Sequence, residues 1–140
     1  MNTDFVEVYY LHRLPKLLPL ETVAVVMGKL ISEKKIGGWG LSQVSVDQIK
    51  AAHSITPLTA VQSEYSIMER IYEKDVIPLC ERLGIAFLPF SPMASGFLSA
   101  DKSYVKSEKN YHGDDVRRAI TRYKAENVAA NQPLLVLLQH

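Results

Sequence analysis

Imidazole, hydroxyl, amide and aromatic side chains follow four apolar segments of this sequence, each near the point where the segment ends. They are His12, Ser42, Gln43, Gln62 and Phe90. Such groups donate and accept hydrogen bonds or offer a flat apolar surface to a ligand. If the four segments are parallel strands, their carboxyl ends lie on one side of the sheet, where α/β proteins bind ligands. The sequence therefore predicts a ligand site built from these five side chains and leaves the ligand open.

The four apolar segments have the length and composition of buried strands. They are rich in β-branched, aromatic and other apolar residues, and they span residues 5–11, 36–41, 58–61 and 85–90. Continuous apolar runs are typical of strands that are covered on both faces. Helical segments separate the four, and this alternation favours parallel pairing through crossover helices.

Apolar spacing and capping signals predict the first two helices. After Pro19, one helical face is formed by Val23, Val26, Met27, Leu30 and Ile31. Ser45 and Gln48 have the spacing of a capping box, so a second helix is predicted to begin there and to run to about His53.

Two further helices are predicted later in the chain. Residues 71–83 form one, which Gly84 terminates as C-cap; its apolar side consists of Val76, Leu79, Cys80 and Leu83. The polar segment 99–113 is expected to be a loop. The last helix is predicted from Asp114 onward, with an apolar spacing set by Val116, Ile120 and Tyr123.

Composition narrows the class of protein. The 140 residues include 16 Lys and Arg against 15 Asp and Glu, a net charge of +1, which gives no clustered positive field for a nucleic acid. A single cysteine, Cys80, allows no disulfide within the chain and favours a reducing compartment. No segment reaches the ~18 apolar residues of a membrane helix, and the first residues lack the features of a signal peptide. A soluble cytoplasmic protein with no membrane partner is expected. His53 and His112 have no partner at metal-ligand spacing, so no metal site is predicted.

Four sequence blocks, in this order, resemble the aldo-keto reductase superfamily. They are residues 9–13 (YYLHR), 40–42 (GLS), 61–66 (VQSEYS) and 89–93 (PFSPM), continued by residues 96–98 and 122–127. The resemblance covers essentially the whole chain and is strongest to bacterial oxidoreductases of the potassium-channel β-subunit-like branch. It implies that residues 1–140 are a single partial domain, an incomplete (β/α)8 TIM barrel with approximately strands 4 to 7 and their helices.

The resemblance also implies roles for the residues at the strand ends. His12 matches the histidine that hydrogen-bonds the substrate carbonyl, which polarises and orients the C=O group beside the hydride donor. Ser42, Gln43 and Gln62 match the side chains that hold the nicotinamide carboxamide, although many relatives have Asn at the position of Gln43. Phe90 matches the aromatic ring that stacks on the nicotinamide.

A loop beside the cofactor ribose and pyrophosphate completes the implied site. Its matching residues are Ser91, Met93, Ser95 and Gly96. NADPH is the implied cofactor, and the implied reaction reduces a small aldehyde or ketone to an alcohol.

The resemblance places the family's proton-transfer groups outside these blocks. In the family a tyrosine protonates the carbonyl, and its pKa is lowered by a lysine that pairs with an aspartate. These three residues are expected on strands upstream of Met1, and the site for the adenosine 2′-phosphate downstream of His140, which itself falls within an expected helix. We therefore expect the 140 residues to be inactive and not to bind NADPH when alone.

Three readings of the chain stay open at this point. The first is a shortened NADPH-dependent oxidoreductase. The second is a noncatalytic nucleotide-binding or protein-interaction module derived from the same fold, and the third is a small doubly wound domain. Open sheet edges would also favour self-association.

Overall fold

Four parallel strands connected by helices form the sheet of this protein. In the computed structural model, which describes residues 2–14, 17–99 and 105–138, the strands are β1 (Val6–Leu11), β2 (Ile36–Ser42), β3 (Ala60–Glu64) and β4 (Ala86–Phe90). They lie in the order β1-β2-β3-β4, and each neighbouring pair is parallel. The predicted parallel α/β architecture is confirmed.

The chain divides into two compact units. The first unit is Met1–Phe90, which contains the sheet, and the second unit is Ser91–His140. Whether the two belong to a single partial domain stays a prediction. The expectations for residues 100–104 and for His140 lie outside the described residues.

Three helices alternate with the strands of the first unit: α1 (Leu20–Ser32), α2 (Val46–Ile55) and α3 (Val76–Leu83). The capping box predicted for α2 is confirmed. The Gln48 backbone N–H donates to Ser45 Oγ at 3.4 Å, and the Ser45 N–H donates to Gln48 Oε1 at 2.9 Å. Gly84 ends α3 in the left-handed conformation, with φ of 66°, as predicted.

The helices of the first unit pack against one face of the sheet, and the core lies between them. Trp39, Leu41, Ile49 and Val61 are fully buried there. The Trp39 indole Nε1 donates to the carbonyl oxygen of Thr56 at 3.2 Å, so the polar edge of this large ring is satisfied inside the core. Cys80 also lies in this core, as predicted from its place on the apolar side of α3.

Gly40 of β2 leaves room for the Tyr10 ring of β1 on the other face of the sheet. A Cβ atom at Gly40 would lie 2.4 Å from Cε1 of the Tyr10 ring and 2.8 Å from the Ala60 carbonyl oxygen. The Tyr10 ring therefore occupies the space that any other side chain at position 40 would need. Burial raises the pKa of the Tyr10 phenol, which favours its neutral form.

The helix predicted over residues 71–83 is wrong in its first part. A short 3-10 helix covers Ile71–Glu73, and the α-helix begins only at Val76, whose N–H is accepted by Asp75 Oδ1 at 2.6 Å. Pro78 explains the break, because it has no N–H for the carbonyl of Lys74 and its ring would clash with that carbonyl. Proline is tolerated in the first turn, where it now lies.

Three smaller predictions about the first unit also need correction. Val26 is 50% exposed, because the buried face of α1 runs through Val23, Ala24 and Met27. Leu83 is 37% exposed at the end of α3. The third strand extends to Glu64 instead of ending at residue 61, so Gln62 lies within β3.

The second unit contains short helices where one long helix from Asp114 was predicted. Its 3-10 turns include Val116–Arg118 and Thr121–Tyr123, and its α-helices are α4 (Ala125–Ala130) and α5 (Gln132–Leu137). Asp115 accounts for the difference: its Oδ1 accepts the Arg117 backbone N–H at 3.0 Å, and its carboxylate pairs with the Arg117 guanidinium. A side chain that binds nearby backbone in this way competes with the helix. The same pairing lowers the pKa of Asp115 to about 2.

Tyr123 lies at the centre of the second unit. It is fully buried, and its ring makes edge contacts with the rings of Phe97 and Tyr111, each at a centroid distance of 5.4 Å. Burial raises the pKa of its phenol to about 12, and the hydroxyl donates to the Ser95 carbonyl oxygen at 2.9 Å. Tyr123 therefore fixes the loop that contains Ser95. Across the described ranges, no helix has the length and apolarity needed to cross a membrane.

Candidate functional site

The strand register brings Ser42 and Gln62 side by side at the carboxyl ends of β2 and β3. Ser42 is paired with Gln62, and Gln62 with Leu88 of β4. Side chains at one level of a parallel sheet lie on the same face, opposite to that of the residues before and after them. Since Leu41 and Val61 belong to the helix-covered core, the side chains of Ser42 and Gln62 lie on the other face.

Phe90 and His12 border this pair. Phe90 is two residues beyond Leu88 and therefore shares the face of Ser42 and Gln62. Its ring is half-buried, and its carbonyl oxygen accepts the backbone N–H of Tyr65 at 3.2 Å. His12 is exposed and follows the last residue of β1; the register of Leu11 with Leu41, continued by one residue, places it level with Ser42.

Arg13 connects the ends of β1 and β2 through contacts that the sequence did not predict. Its Nη1 donates to Ser42 Oγ at 3.1 Å and to the His12 carbonyl oxygen at 2.8 Å. Ser42 itself is buried, with 3% of its surface exposed. The only sequence signal for Arg13 was its place beside His12 in the first matched block.

Gln43 leaves the strand in a left-handed conformation. Its φ is 56°, its backbone N–H donates to the Gln62 carbonyl oxygen at 2.9 Å, and its side chain is exposed. The Tyr72 hydroxyl donates to Gln43 Oε1 at 3.4 Å, a second contact that the sequence did not predict. This contact uses one of the two lone pairs of Oε1, and the Gln43 amide adds two N–H donors to this end of the sheet. Left-handed residues other than glycine carry strain and are concentrated at functional sites.

The remaining predicted site residues belong to the second unit. Ser91, Ser95 and Gly96 all have positive φ, of 52°, 59° and 92°, within a tight turn that ends in the 3-10 segment Ala94–Gly96. Met93 is 52% exposed. Within this unit the four residues belong to one continuous irregular loop, and positive φ values of this kind are common where a backbone approaches a ligand closely.

A hydrogen-bonded cluster fixes the chain just beyond β3. The Tyr65 hydroxyl donates to Glu73 Oε1 at 2.7 Å, and Arg70 binds both oxygens of Glu73, each at 2.8 Å. The hydrogen bond to Glu73 raises the pKa of Tyr65, while the bond from Arg70 is the main cause of the lowered pKa of Glu73. The cluster holds the segment between β3 and α3, which also carries Tyr72.

Comparison with known proteins gives a family model and several relatives. The model described as the aldo/keto reductase family matches residues 1–139. The chain is 36% identical over 132 residues to the probable aldo-keto reductase 1 of Glycine max, covering 94% of this chain and 37% of that protein. The structure of a glycerol dehydrogenase from Gluconobacter oxydans matches with a TM-score of 0.79 and 20% identity, over 97% of this chain and 44% of that chain. The structure of an aldo/keto reductase from Klebsiella pneumoniae, in complex with NADP and acetate, matches with a TM-score of 0.62 and 22% identity. The match covers 99% of this chain and 55% of that chain.

These matches differ in what they establish. The chain spans 37% of the length of the Glycine max relative and 44% of the Gluconobacter structure. The two structures share the fold, so the four-stranded sheet corresponds to part of a (β/α)8 barrel. The potassium-channel β-subunit-like branch stays a prediction. Since the family model matches almost every residue and the sequence relative carries the same family name, this chain belongs to the aldo/keto reductase family.

Proposed function

We propose that the first unit binds the nicotinamide end of NADPH and orients a small aldehyde or ketone beside it. The register of Ser42 with Gln62 is the observation that supports this proposal most directly, because it places a hydroxyl and a carboxamide next to each other on one sheet face. The nicotinamide carboxamide has one carbonyl acceptor and two N–H donors. The donor and acceptor set of the two side chains therefore fits this group.

Phe90 adds a flat apolar surface to the same face. It lies at the end of β4, and the Tyr65 N–H bound to its carbonyl oxygen fixes its backbone. An aromatic ring in this position is suited to offset stacking on the nicotinamide ring. Taken by itself, the irregular loop of the second unit, with Ser91, Met93, Ser95 and Gly96, is proposed from the family resemblance to contact a ribose and pyrophosphate.

His12 is proposed to orient the substrate. Its exposed imidazole, at the end of β1, would donate a hydrogen bond to the carbonyl oxygen and so favour charge development on that atom. Bound NADPH supplies the hydride in this chemistry. The Klebsiella relative was solved in complex with NADP, which supports NADPH as the cofactor.

We further infer that these 140 residues do not reduce a carbonyl compound by themselves. In the family that this chain resembles, a tyrosine assisted by a lysine and an aspartate donates the proton to the carbonyl. None of the matched blocks contains all three of these residues. Tyr10, on the site's face of the sheet, has a raised pKa, which is the wrong direction for a tyrosine that must release its proton. A noncatalytic nucleotide-binding module remains the alternative if binding is found without any carbonyl recognition.

Fluorescence titration of the purified chain with NADPH tests the proposal. The sequence alone predicted no binding, but the register of Ser42 with Gln62 leads us to expect saturable binding. Phe90→Ala and Gln62→Ala should each weaken it about tenfold, the size of one stacking or hydrogen-bonding contact. Gln132→Ala, an exposed glutamine of the second unit, is the matched control and should bind like the parent chain. Equal binding by all variants, or no binding at all, would contradict the proposed site.

The inference that the 140 residues are inactive alone is tested by following NADPH absorbance in the presence of a panel of small aldehydes and ketones. We expect no carbonyl-dependent loss of NADPH with the 140 residues alone. Sustained oxidation that His12→Ala abolishes would show that the chain is catalytic without the family's tyrosine. Carbonyl compounds that alter NADPH binding only when His12 is present would support its proposed contact with the substrate.

A further inference from the structure

The backbone hydrogen bonds of β2 alternate between its two neighbouring strands. Ser42 is paired with Gln62 of β3, and the N–H of the next residue, Gln43, donates to the Gln62 carbonyl oxygen at 2.9 Å. The backbone groups of successive residues in a strand point to opposite edges. Gln43 and Leu41 therefore bond toward β3, whereas Gly40 and Ser42 bond toward β1.

This alternation identifies the backbone groups that β1 leaves unused on its outer edge. Gly40 lies opposite Tyr10, and a residue in a parallel pair bonds to the two neighbours of its partner. Tyr9 and Leu11 therefore bond to β2, while Val8 and Tyr10 direct their N–H and C=O groups away from it. Within the described residues β1 pairs with β2 alone, so these groups form a free strand edge.

The outer edge of β4 is less suited to pairing. Ala86 N–H donates to the Thr59 carbonyl oxygen at 3.0 Å, so by the same alternation Phe87 and Pro89 face away from β3. Because proline has no N–H, Phe87 supplies the single outward donor between Ala86 and Phe90. Proline on an outer strand opposes pairing between molecules. Of the two outer strands, β1 is therefore the one whose edge can accept a further strand.

We propose that two copies of this chain associate through their β1 strands, which pair antiparallel about a twofold axis at Tyr9. A twofold axis perpendicular to a strand brings that strand beside its own copy in the antiparallel direction. Val8 of each copy then lies opposite Tyr10 of the other, and each such pair exchanges two N–H···O=C hydrogen bonds. All the outward donors and acceptors of Val8 and Tyr10 are used in this arrangement.

The hydrogen bonds already present in the chain favour this register over its neighbours. An axis at Val8 would place Tyr10 opposite Val6, whose N–H already donates to a carbonyl oxygen just before β2 at 3.1 Å. An axis at Tyr10 would place Val8 opposite His12, whose carbonyl oxygen already accepts a guanidinium N–H at 2.8 Å. With the axis at Tyr9, every outward group meets a group that has no other partner strand.

The side chains of β1 fit the same register. Tyr9 is 47% exposed, although it is paired with the buried Trp39, and the two Tyr9 residues would face each other as a non-hydrogen-bonded pair with Cα atoms about 4.5 Å apart. Glu7, the only charged residue of β1, would lie opposite Leu11. The two Glu7 residues would be about 14 Å apart, at ~3.4 Å per residue. This distance exceeds the Debye length of ~8 Å at physiological salt, so their repulsion is largely screened.

Sedimentation velocity of the parent chain, Val8→Pro and Val8→Ala over a range of concentrations tests the pairing. Proline removes the outward N–H of Val8 but keeps the bonds between β1 and β2, because that N–H faces away from β2. Each dimer loses two hydrogen bonds, so we expect its dissociation constant to rise about tenfold or more. Val8→Ala is the matched control, since it keeps the N–H and should associate like the parent chain.

Oxidation of Tyr9→Cys with diamide tests the register by a second route. Cα atoms about 4.5 Å apart are within the range that a disulfide spans, so we expect a disulfide-linked dimer on a nonreducing gel. Lys50→Cys, at an exposed residue of α2, is the control and should run as a monomer on that gel. Cys80 is buried and does not compete for the oxidant.

The outcomes separate this arrangement from other interfaces. A parent chain that stays monomeric at every concentration overturns the proposal. A dimer that Val8→Pro leaves intact and that gives no disulfide with Tyr9→Cys overturns the β1 pairing and indicates another interface, for example β1 beside β4 of the second copy. Circular dichroism melting identifies a variant that fails to fold, and if Val8→Pro does so, the Tyr9→Cys disulfide decides alone. Neither measurement needs NADPH, so the result is independent of the proposed function.

Discussion

At the residue scale, the site depends on backbone conformations that most side chains disfavour. Gln43, Ser91 and Ser95 all have φ between 52° and 59°, a region in which a non-glycine residue costs on the order of 1 kcal/mol. Lys34, just after α1, has the same φ of 56° but no proposed function. Substitutions at Lys34 and at Gln43 therefore allow the effect of strain on stability to be separated from an effect on ligand binding.

Lys34→Gly is expected to raise the free energy of unfolding by about 1 kcal/mol. Lys34 ends α1 in the left-handed conformation, donating to the Ile31 carbonyl oxygen at 2.9 Å, and glycine adopts this φ without a Cβ penalty. Urea denaturation followed by circular dichroism measures the change. Lys29→Gly, inside the same helix, is the control and should lower stability by about 1 kcal/mol.

Gln43→Gly should stabilise the chain for the same reason but weaken NADPH binding, since the amide donors are lost. A gain in stability together with unchanged binding would show that Gln43 does not contact the cofactor. A loss of stability would show that the lost hydrogen bond from Tyr72 outweighs the relief of strain.

At the element scale, capping interactions between residues close in the sequence determine where two of the helices begin or end. The Ser45–Gln48 capping box starts α2, and the left-handed Gly84 ends α3. Both were predicted, because a cap involves residues only a few positions apart. The predicted start of α3 was wrong, because the apolar spacing continues through residues 71–83 while Pro78 confines the α-helix to Val76–Leu83.

Ser45→Ala is expected to lower the free energy of unfolding by about 1 kcal/mol, because the Gln48 N–H loses its acceptor at the start of α2. Ser54→Ala provides the control, since this exposed hydroxyl of the same helix only donates to the Ala51 carbonyl oxygen. Thermal melts of the two variants measure the difference. Equal melting temperatures would mean that the capping box contributes nothing measurable to this fold.

At the scale of the whole molecule, the sheet has two outer strands. Within the described residues, β1 pairs only with β2, and β4 only with β3. An unpaired strand edge offers backbone donors and acceptors to another chain. Tyr9 of β1 is 47% exposed and lies beside this edge, so we propose β1 as the strand through which copies of the chain associate.

Tyr9→Lys is expected to shift the chain toward the monomer, because a charged side chain on an edge strand opposes strand pairing between molecules. Sedimentation velocity over a range of concentrations measures the shift. Val25→Lys is the control, since Val25 is 61% exposed and lies on helix α1, not on a strand. A concentration-independent monomer of the parent chain would contradict self-association altogether.

The sequence alone determined the alternation of strands and helices, the two helix caps and the presence of polar residues at four strand ends. Each depends on residue types within a few positions of one another. It also carried the four ordered blocks that resemble the aldo/keto reductase family, which the family model confirms over residues 1–139.

Only the tertiary structure decided which of those polar residues meet. The pairing of Ser42 with Gln62 and the contact of Arg13 with Ser42 join residues that are far apart in the chain. The register of two strands and the position of a long guanidinium side chain follow from packing between elements, which no local pattern records. For the same reason the sequence predicted a ligand site at these strand ends, while the structure was needed to show which of the side chains lie beside one another.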